Sequence, residues 1–139
     1  FTIATHMMII IAMQDTDSKV TSDFLAASVG VNPVIIRKTL SQLKKAGLIS
    51  VARGTGGTEI IKDLQDISLF DVYQAVECLG KSGKLFSFHD NPNPNCPVGA
   101  NIHKVLDQKL LDIQVAMENQ LRQMSLAQVV ADAEARIAK

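Results

Sequence analysis

Hydrophobic and polar positions form blocks along the 139-residue chain that predict a mainly helical protein. Residues 1–14 are nearly all apolar and predict a buried first helix, with His6 in the core. A polar stretch follows, and a second helix is predicted between Thr21 and Gly30, with Phe24 on its inner face. The chain therefore begins with two helices joined by a loop.

The third predicted helix has the clearest start and stop signals. Asn32 is a good N-cap, and Pro33 stands at the first helical position, where its missing N–H costs nothing. Ile36, Leu40 and Leu43 are spaced by four and three residues and form one apolar stripe. Basic and polar residues fall on the other faces, and a glycine follows the helix.

Two short β-like runs come next, at residues 48–52 and 58–61. The glycine-rich segment 53–57 between them suits the tip of a hairpin. This is the order of elements in a winged helix-turn-helix: a helix, a short turn, a helix with a basic exposed face, and then a hairpin. Segment 21–61 is therefore the predicted DNA-reading part.

The remainder is predicted to be helical around one irregular segment. Ser68 caps a fourth helix, residues 80–99 form a break that contains three prolines, and Ser125 caps a last helix. The longest helix is predicted over residues 101–124. Its apolar residues recur in steps of three and four, which is the pattern of a dimerisation seam: Ile102, Leu106, Leu110, Ile113, Met117, Leu121 and Met124.

These elements predict a fold that is mainly α with a small β-wing: a winged helix-turn-helix plus a long C-terminal dimerisation helix. The expected divisions are a DNA-binding domain over residues 1–80, a Pro/Asn-rich loop over 81–100 and dimerisation helices over 101–139.

The charge distribution favours the same segment. The net charge is zero, but residues 1–62 carry seven basic and four acidic residues, whereas 63–139 carry seven basic and ten acidic residues. Residues 32–53 hold five basic residues and no acid. Phosphates respond to such a local patch because salt screens charges beyond about 8–10 Å. A solvated helix face is the alternative reading of the patch.

We expect this segment to bind double-stranded DNA with two groups of side chains. The first half of the third helix is expected to read bases, and the start of the second helix and the tip of the wing are expected to contact the backbone. The candidate DNA-binding residues are Thr21, Ser22, Asn32, Pro33, Val34, Arg37, Lys38, Ser41, Arg53, Gly54 and Thr55.

Two stretches carry a family resemblance: residues 40–57 (LSQLKKAGLISVARGTGG) and residues 67–77 (ISLFDVYQAVE). They resemble the Rrf2 family of small bacterial winged-helix regulators, which includes an iron–sulfur cluster regulator, a nitric-oxide-sensitive repressor and a cysteine-metabolism repressor. The resemblance implies a homodimer joined by the long helix, which binds a near-palindromic operator, usually as a repressor. The wing is one residue shorter than the family pattern and carries Thr58 where an aromatic residue is usual. The operator sequences of family members are therefore not assigned to this chain.

Cluster-binding members of the family hold iron and sulfur with three closely spaced cysteines, whereas here only Cys96 lies in the corresponding loop. His89, His103 and the distant Cys78 have irregular spacing, so neither an iron–sulfur cluster nor another metal is expected, and this is a non-cluster branch. Cys96 precedes a helix and is a candidate redox sensor. It could instead pack under the proline-rich loop. A small-molecule effector is left open.

Other classes of protein fit the sequence less well. No apolar run is long enough to span a bilayer and no signal peptide is visible, so a cytoplasmic protein without a membrane partner is expected. An enzyme is not expected, because no acid is positioned to orient either histidine near Cys96. The serious alternative is a winged-helix protein-interaction adaptor that does not bind specific DNA.

Overall fold

The structure is a computed structural model that describes residues 1–15, 17–54, 56–76, 79 and 82–139. Within these residues it is mainly helical, with one small antiparallel sheet, as the sequence predicted. The elements are α1 (Thr2–Met13), α2 (Ser22–Val29), α3 (Pro33–Lys45), β1 (Ile49–Val51), β2 (Thr58–Ile60), α4 (Leu69–Ala75), α5 (Ile102–Arg122) and α6 (Leu126–Ile137). None of the helices in the described part of the chain is both long enough and apolar enough to cross a membrane.

The chain divides into two compact units, which differ from the predicted domains. The first contains residues 1–78 and 121–139, and the second contains residues 79–120. The last helix was predicted to belong to the C-terminal dimerisation segment, but α6 packs against α1 in the first unit. The physical reason is that α6 buries Leu126 and Val130 there.

The core of the first unit is built on α1, which contributes Ala4, Met7, Met8 and Ile11. The expectation that His6 lies in this core was wrong, because His6 is exposed. A helix that is apolar nearly all round does not reveal by its pattern which side faces out.

Local hydrogen bonds define the helix-turn-helix. The hydroxyl of Thr21 accepts from the backbone N–H of Phe24 at 3.2 Å and so caps α2. Gly30 ends α2 with a φ of 74°, a left-handed conformation that favours glycine. Asn32 Oδ1 then accepts from the N–H of Val34 at 2.8 Å and caps α3. Phe24 itself was predicted to face inward but is exposed, which corrects that expectation.

The hairpin that follows α3 forms the wing. Strand β1 pairs with β2 in antiparallel register, with Ile49 opposite Ile60 and Val51 opposite Thr58. The backbone N–H of Ala52 donates to the carbonyl of Gly57 at 3.0 Å and closes the loop. The strands are shorter than predicted, since residues 48, 52 and 61 lie outside them, although the N–H of Ile61 still donates to the carbonyl of Leu48 at 3.2 Å.

The end of α5 is tied to the start of α4 within the first unit. The N–H of Leu69 donates to the carbonyl of Met124 at 2.8 Å, and the N–H of Leu126 donates to the carbonyl of Ile67 at 2.7 Å. The guanidinium of Arg122 lies 3.8 Å from the ring centroid of Phe70, in a cation–π contact. These contacts fix the junction between α5 and α6.

The second unit consists of the irregular segment after α4 and most of α5. Gln114 joins the two parts: its Oε1 accepts from the N–H of Leu85 at 3.0 Å and its Nε2 donates to the carbonyl of Gly83 at 2.9 Å. No residue of α5, all of which is described, is buried in the single chain.

Candidate nucleic-acid interface

Helix α3 separates a buried side from a polar outer side. Its buried residues are Ile36, Thr39, Leu40 and Leu43. With about 100° of turn per residue, the opposite side of the helix is centred on Val34, Lys38 and Ser41, all of which are exposed. Helix packing therefore directs three predicted base contacts to one outward face.

Two other predicted contacts lie at the start of α3 and already have structural roles. Asn32 is exposed, but its Oδ1 caps the helix, and a bidentate contact with an adenine would compete with that cap. Pro33 is exposed at the first helical position and has no N–H to donate.

Arg37 and Asp23 are paired across the two helices. The distance between Arg37 Nη2 and Asp23 Oδ1 is 3.8 Å, and both side chains are exposed. Asp23 stands in the first turn of α2, where the positive end of the helix favours an acid. The two residues are fourteen positions apart, so no helical spacing rule could indicate that they meet.

The remaining predicted backbone contacts are distributed over α2 and the wing. Thr21 and Ser22 are half-buried at the start of α2, and the Thr21 hydroxyl is used in the cap. Arg53 and Gly54 are exposed at the tip of the wing, where Gly54 adopts a φ of 70°. Thr55 lies outside the described residues.

These elements match known proteins over nearly the full chain. The sequence profile of the Rrf2 family, described as "Iron-dependent Transcriptional regulator", matches residues 1–132. This chain belongs to the Rrf2 family. An Rrf2 relative, YwnA of Bacillus subtilis (strain 168), carries the name of a candidate HTH-type transcriptional regulator and is 43% identical over 128 residues, 92% of each chain.

Solved structures share the fold of this chain. A crystal structure described as a candidate DNA-binding protein has 38% identity and a TM-score of 0.73, covering 92% of this chain and 96% of that one. A candidate transcriptional regulator from Lactobacillus plantarum has 28% identity and a TM-score of 0.75, covering 96% and 88%. The chain is a transcriptional regulator with a DNA-binding winged-helix fold, and it is not an enzyme.

The family description raises the question of iron, and the described donors do not fit it. No group of three or more His, Cys, Asp or Glu side chains able to hold a metal occurs among the described residues. His103 Nδ1 lies 3.1 Å from Asp107 Oδ1, so the expectation that no acid is positioned to orient this histidine was wrong. The ring centroids of Phe88 and His103 are 3.9 Å apart. Cys78 lies outside the described residues, so the absence of a cofactor stays a prediction.

Cys96, the candidate sensor, is exposed in the turn that precedes α5. The alternative that it packs under the proline-rich loop is wrong for this reason. Backbone hydrogen bonds from Gly99 and, to a smaller extent, Val98 lower the pKa of the Cys96 thiol below its ordinary value. The turn therefore favours the thiolate, which is the nucleophilic form.

The predicted dimer seam lies along one side of α5 and its C-terminal end. Ile113 and Met124 are exposed, and the other five seam residues are half-buried. Leu111 and Val115 are also exposed on a different side of α5. The single chain therefore leaves much apolar surface of this helix uncovered.

Proposed function

We propose that this regulator is a sequence-specific repressor that binds a near-palindromic operator as a homodimer. The observation that carries the proposal is the outward face of α3, where Val34, Lys38 and Ser41 are exposed together beside Arg37. A recognition helix presents its first turns to base edges in the major groove, while cations beside them meet phosphates. We assign Arg53 and Gly54 at the wing tip to contacts with the DNA backbone.

The dimer is proposed to form through the seam of α5. A helix with no buried residue and apolar side chains in steps of three and four is stabilised by a partner helix. A second copy of this chain supplies that partner, so that the dimer carries two α3 helices, one for each half-site. Two-fold symmetry of the protein would then be mirrored in the operator.

A gel shift tests DNA binding directly. The probe is the DNA upstream of the gene for this chain, and the control duplex is a scrambled sequence of the same composition. We expect a shift of the first duplex at protein concentrations that leave the second free. Lys38→Glu should abolish the shift, because it places a negative charge on the face of α3 that approaches the negatively charged DNA. Lys139→Glu, an equal charge change at an exposed position of the C-terminus, should preserve it.

Equal shifts of the promoter and scrambled duplexes would contradict sequence-specific binding. Absence of any shift with either duplex would favour the protein-interaction adaptor instead. We also infer a cytoplasmic location, where such a regulator meets its operator.

A second, regulatory role is proposed for Cys96, supported by its exposure and by the lowered pKa of its thiol. With hydrogen peroxide as oxidant, two Cys96 thiols of a dimer would form a disulfide, and the peroxide would be reduced to two waters. We expect oxidised protein to bind its promoter with altered affinity and Cys96→Ser to lose that response. An unchanged oxidant response in Cys96→Ser would contradict the role.

A further inference from the structure

The first turn of α3 presents hydrocarbon to solvent. Val34 is 66% exposed, and Pro33 and Ile35 beside it are exposed as well. Helices of soluble proteins usually turn such side chains toward the core. The inward positions of α3 are already filled by other residues, and Val34 points directly away from them. Packing within the chain therefore does not account for Val34.

The side chains on either side of Val34 are apolar, and Pro33 has no N–H. At the start of the helix, Asn32 Oδ1 is used in the cap of α3. The first turn, residues 33–35, therefore offers a base edge apolar contact. Lys38 and Ser41 supply polar groups only further along the helix.

Apolar contact carries sequence information in the major groove, because thymine alone among the four DNA bases presents a methyl group there. We infer that Val34, with Ile35 at its flank, reads the 5-methyl group of a thymine in each half-site of the operator. This inference rests on the proposed function, because it requires α3 to enter the major groove. It adds a specificity-determining contact that involves no hydrogen bond.

Replacement of thymine by deoxyuridine tests the contact, because it removes the methyl group and leaves base pairing intact. The duplex is one that this protein enriches from random DNA, and each thymine is replaced in turn. At one thymine in each half-site we expect affinity to fall about fourfold, because the complex no longer buries that methyl group. Val34→Ala, which removes the two γ-methyl groups that would reach the base, should show a smaller difference in affinity between the thymine and deoxyuridine duplexes at that position.

Val98→Ala is the matched control. Val98 is 69% exposed and lies in the second unit, outside the helix-turn-helix. This variant should keep the fourfold discrimination. Because Val34 and Val98 are both exposed, neither change should disturb folding, and circular dichroism and thermal unfolding verify this.

Three outcomes would overturn the inference. If replacing each thymine of the enriched duplexes by deoxyuridine leaves the affinity unchanged, methyl readout is excluded and the proposed function stays intact. Undiminished discrimination in Val34→Ala, or its loss in Ile35→Ala alone, would remove the assignment to Val34. Failure to enrich any duplex would defeat the proposed function and, with it, this inference.

Discussion

The guanidinium of Arg37 and the carboxylate of Asp23 face each other across α3 and α2, with Nη2 3.8 Å from Oδ1. Asp23 is therefore an acid beside the face that is proposed to meet phosphates. An exposed pair of this kind contributes little to folding. In the proposed complex, DNA competes with Asp23 for Arg37.

Asp23→Asn should therefore strengthen DNA binding. The change frees Arg37 and removes one repulsion with phosphate, and we expect affinity to rise about threefold at fixed salt. Fluorescence anisotropy with a promoter duplex measures it. Asp132→Asn makes the same change in net charge on α6, at an exposed site, and should have no such effect. Equal gains in both variants would show that only net charge matters.

Arg37→Ala should weaken operator binding by about 1–3 kcal/mol and relax the preference at one base position. The reason is that an arginine in the first half of a recognition helix favours guanine through two hydrogen bonds. Binding to a set of operators altered one base pair at a time measures the preference. An equal loss on every sequence would reassign Arg37 to a phosphate contact.

Arg53→Ala at the wing tip should instead weaken binding to all sequences alike. A phosphate contact carries no base information. Its loss reduces the slope of log affinity against log salt concentration by about one. Titrations at several salt concentrations give this slope. A change in sequence preference with an unaltered slope would mean that Arg53 reads a base.

The α5 seam is tested by a pair of matched variants. Ile113 on the seam is 52% exposed, and Leu111, roughly 160° around the helix, is 50% exposed. Ile113→Asp should convert the dimer to monomers, because it buries an unpaired charge in the interface. Leu111→Asp should leave the dimer intact. Sedimentation velocity distinguishes the two, and dimers that persist in Ile113→Asp would contradict the seam.

The Cys96 thiol should ionise at a lower pH than a free cysteine, whose pKa is about 8.5. Backbone hydrogen bonds from Gly99 and Val98 favour the thiolate, so they lower the pKa. With Cys78 replaced by serine, so that Cys96 is the one thiol of this chain, the rate of alkylation by iodoacetamide should therefore reach half its maximum below that pH. Unfolded protein is the control, and equal pH profiles for folded and unfolded protein would contradict the lowered pKa.

Much of the fold was predictable because its boundaries are set locally. Asn32 with Pro33, and Ser68, mark the starts of their helices in the sequence, and the structure confirms both caps, the second as a capping box that Ser68 forms with Asp71. The burial of Ile36 follows in the same way from spacing along α3.

Features that depend on contacts between distant elements were not predictable. The pairing of Asp23 with Arg37 joins two helices, and α6 packs on α1 from the other end of the chain. The exposure of His6 on an otherwise apolar helix also depends on which neighbours cover α1. Periodicity along one segment carries no information on such contacts.

Two copies of α3 are proposed to read a symmetric DNA site, and selection from random duplex DNA tests this proposal most directly. We expect enrichment of an inverted repeat whose half-sites are centred about 34–36 Å apart, one helical turn, or a multiple of it. Enrichment of a single unrepeated element, or of no sequence at all, would contradict it.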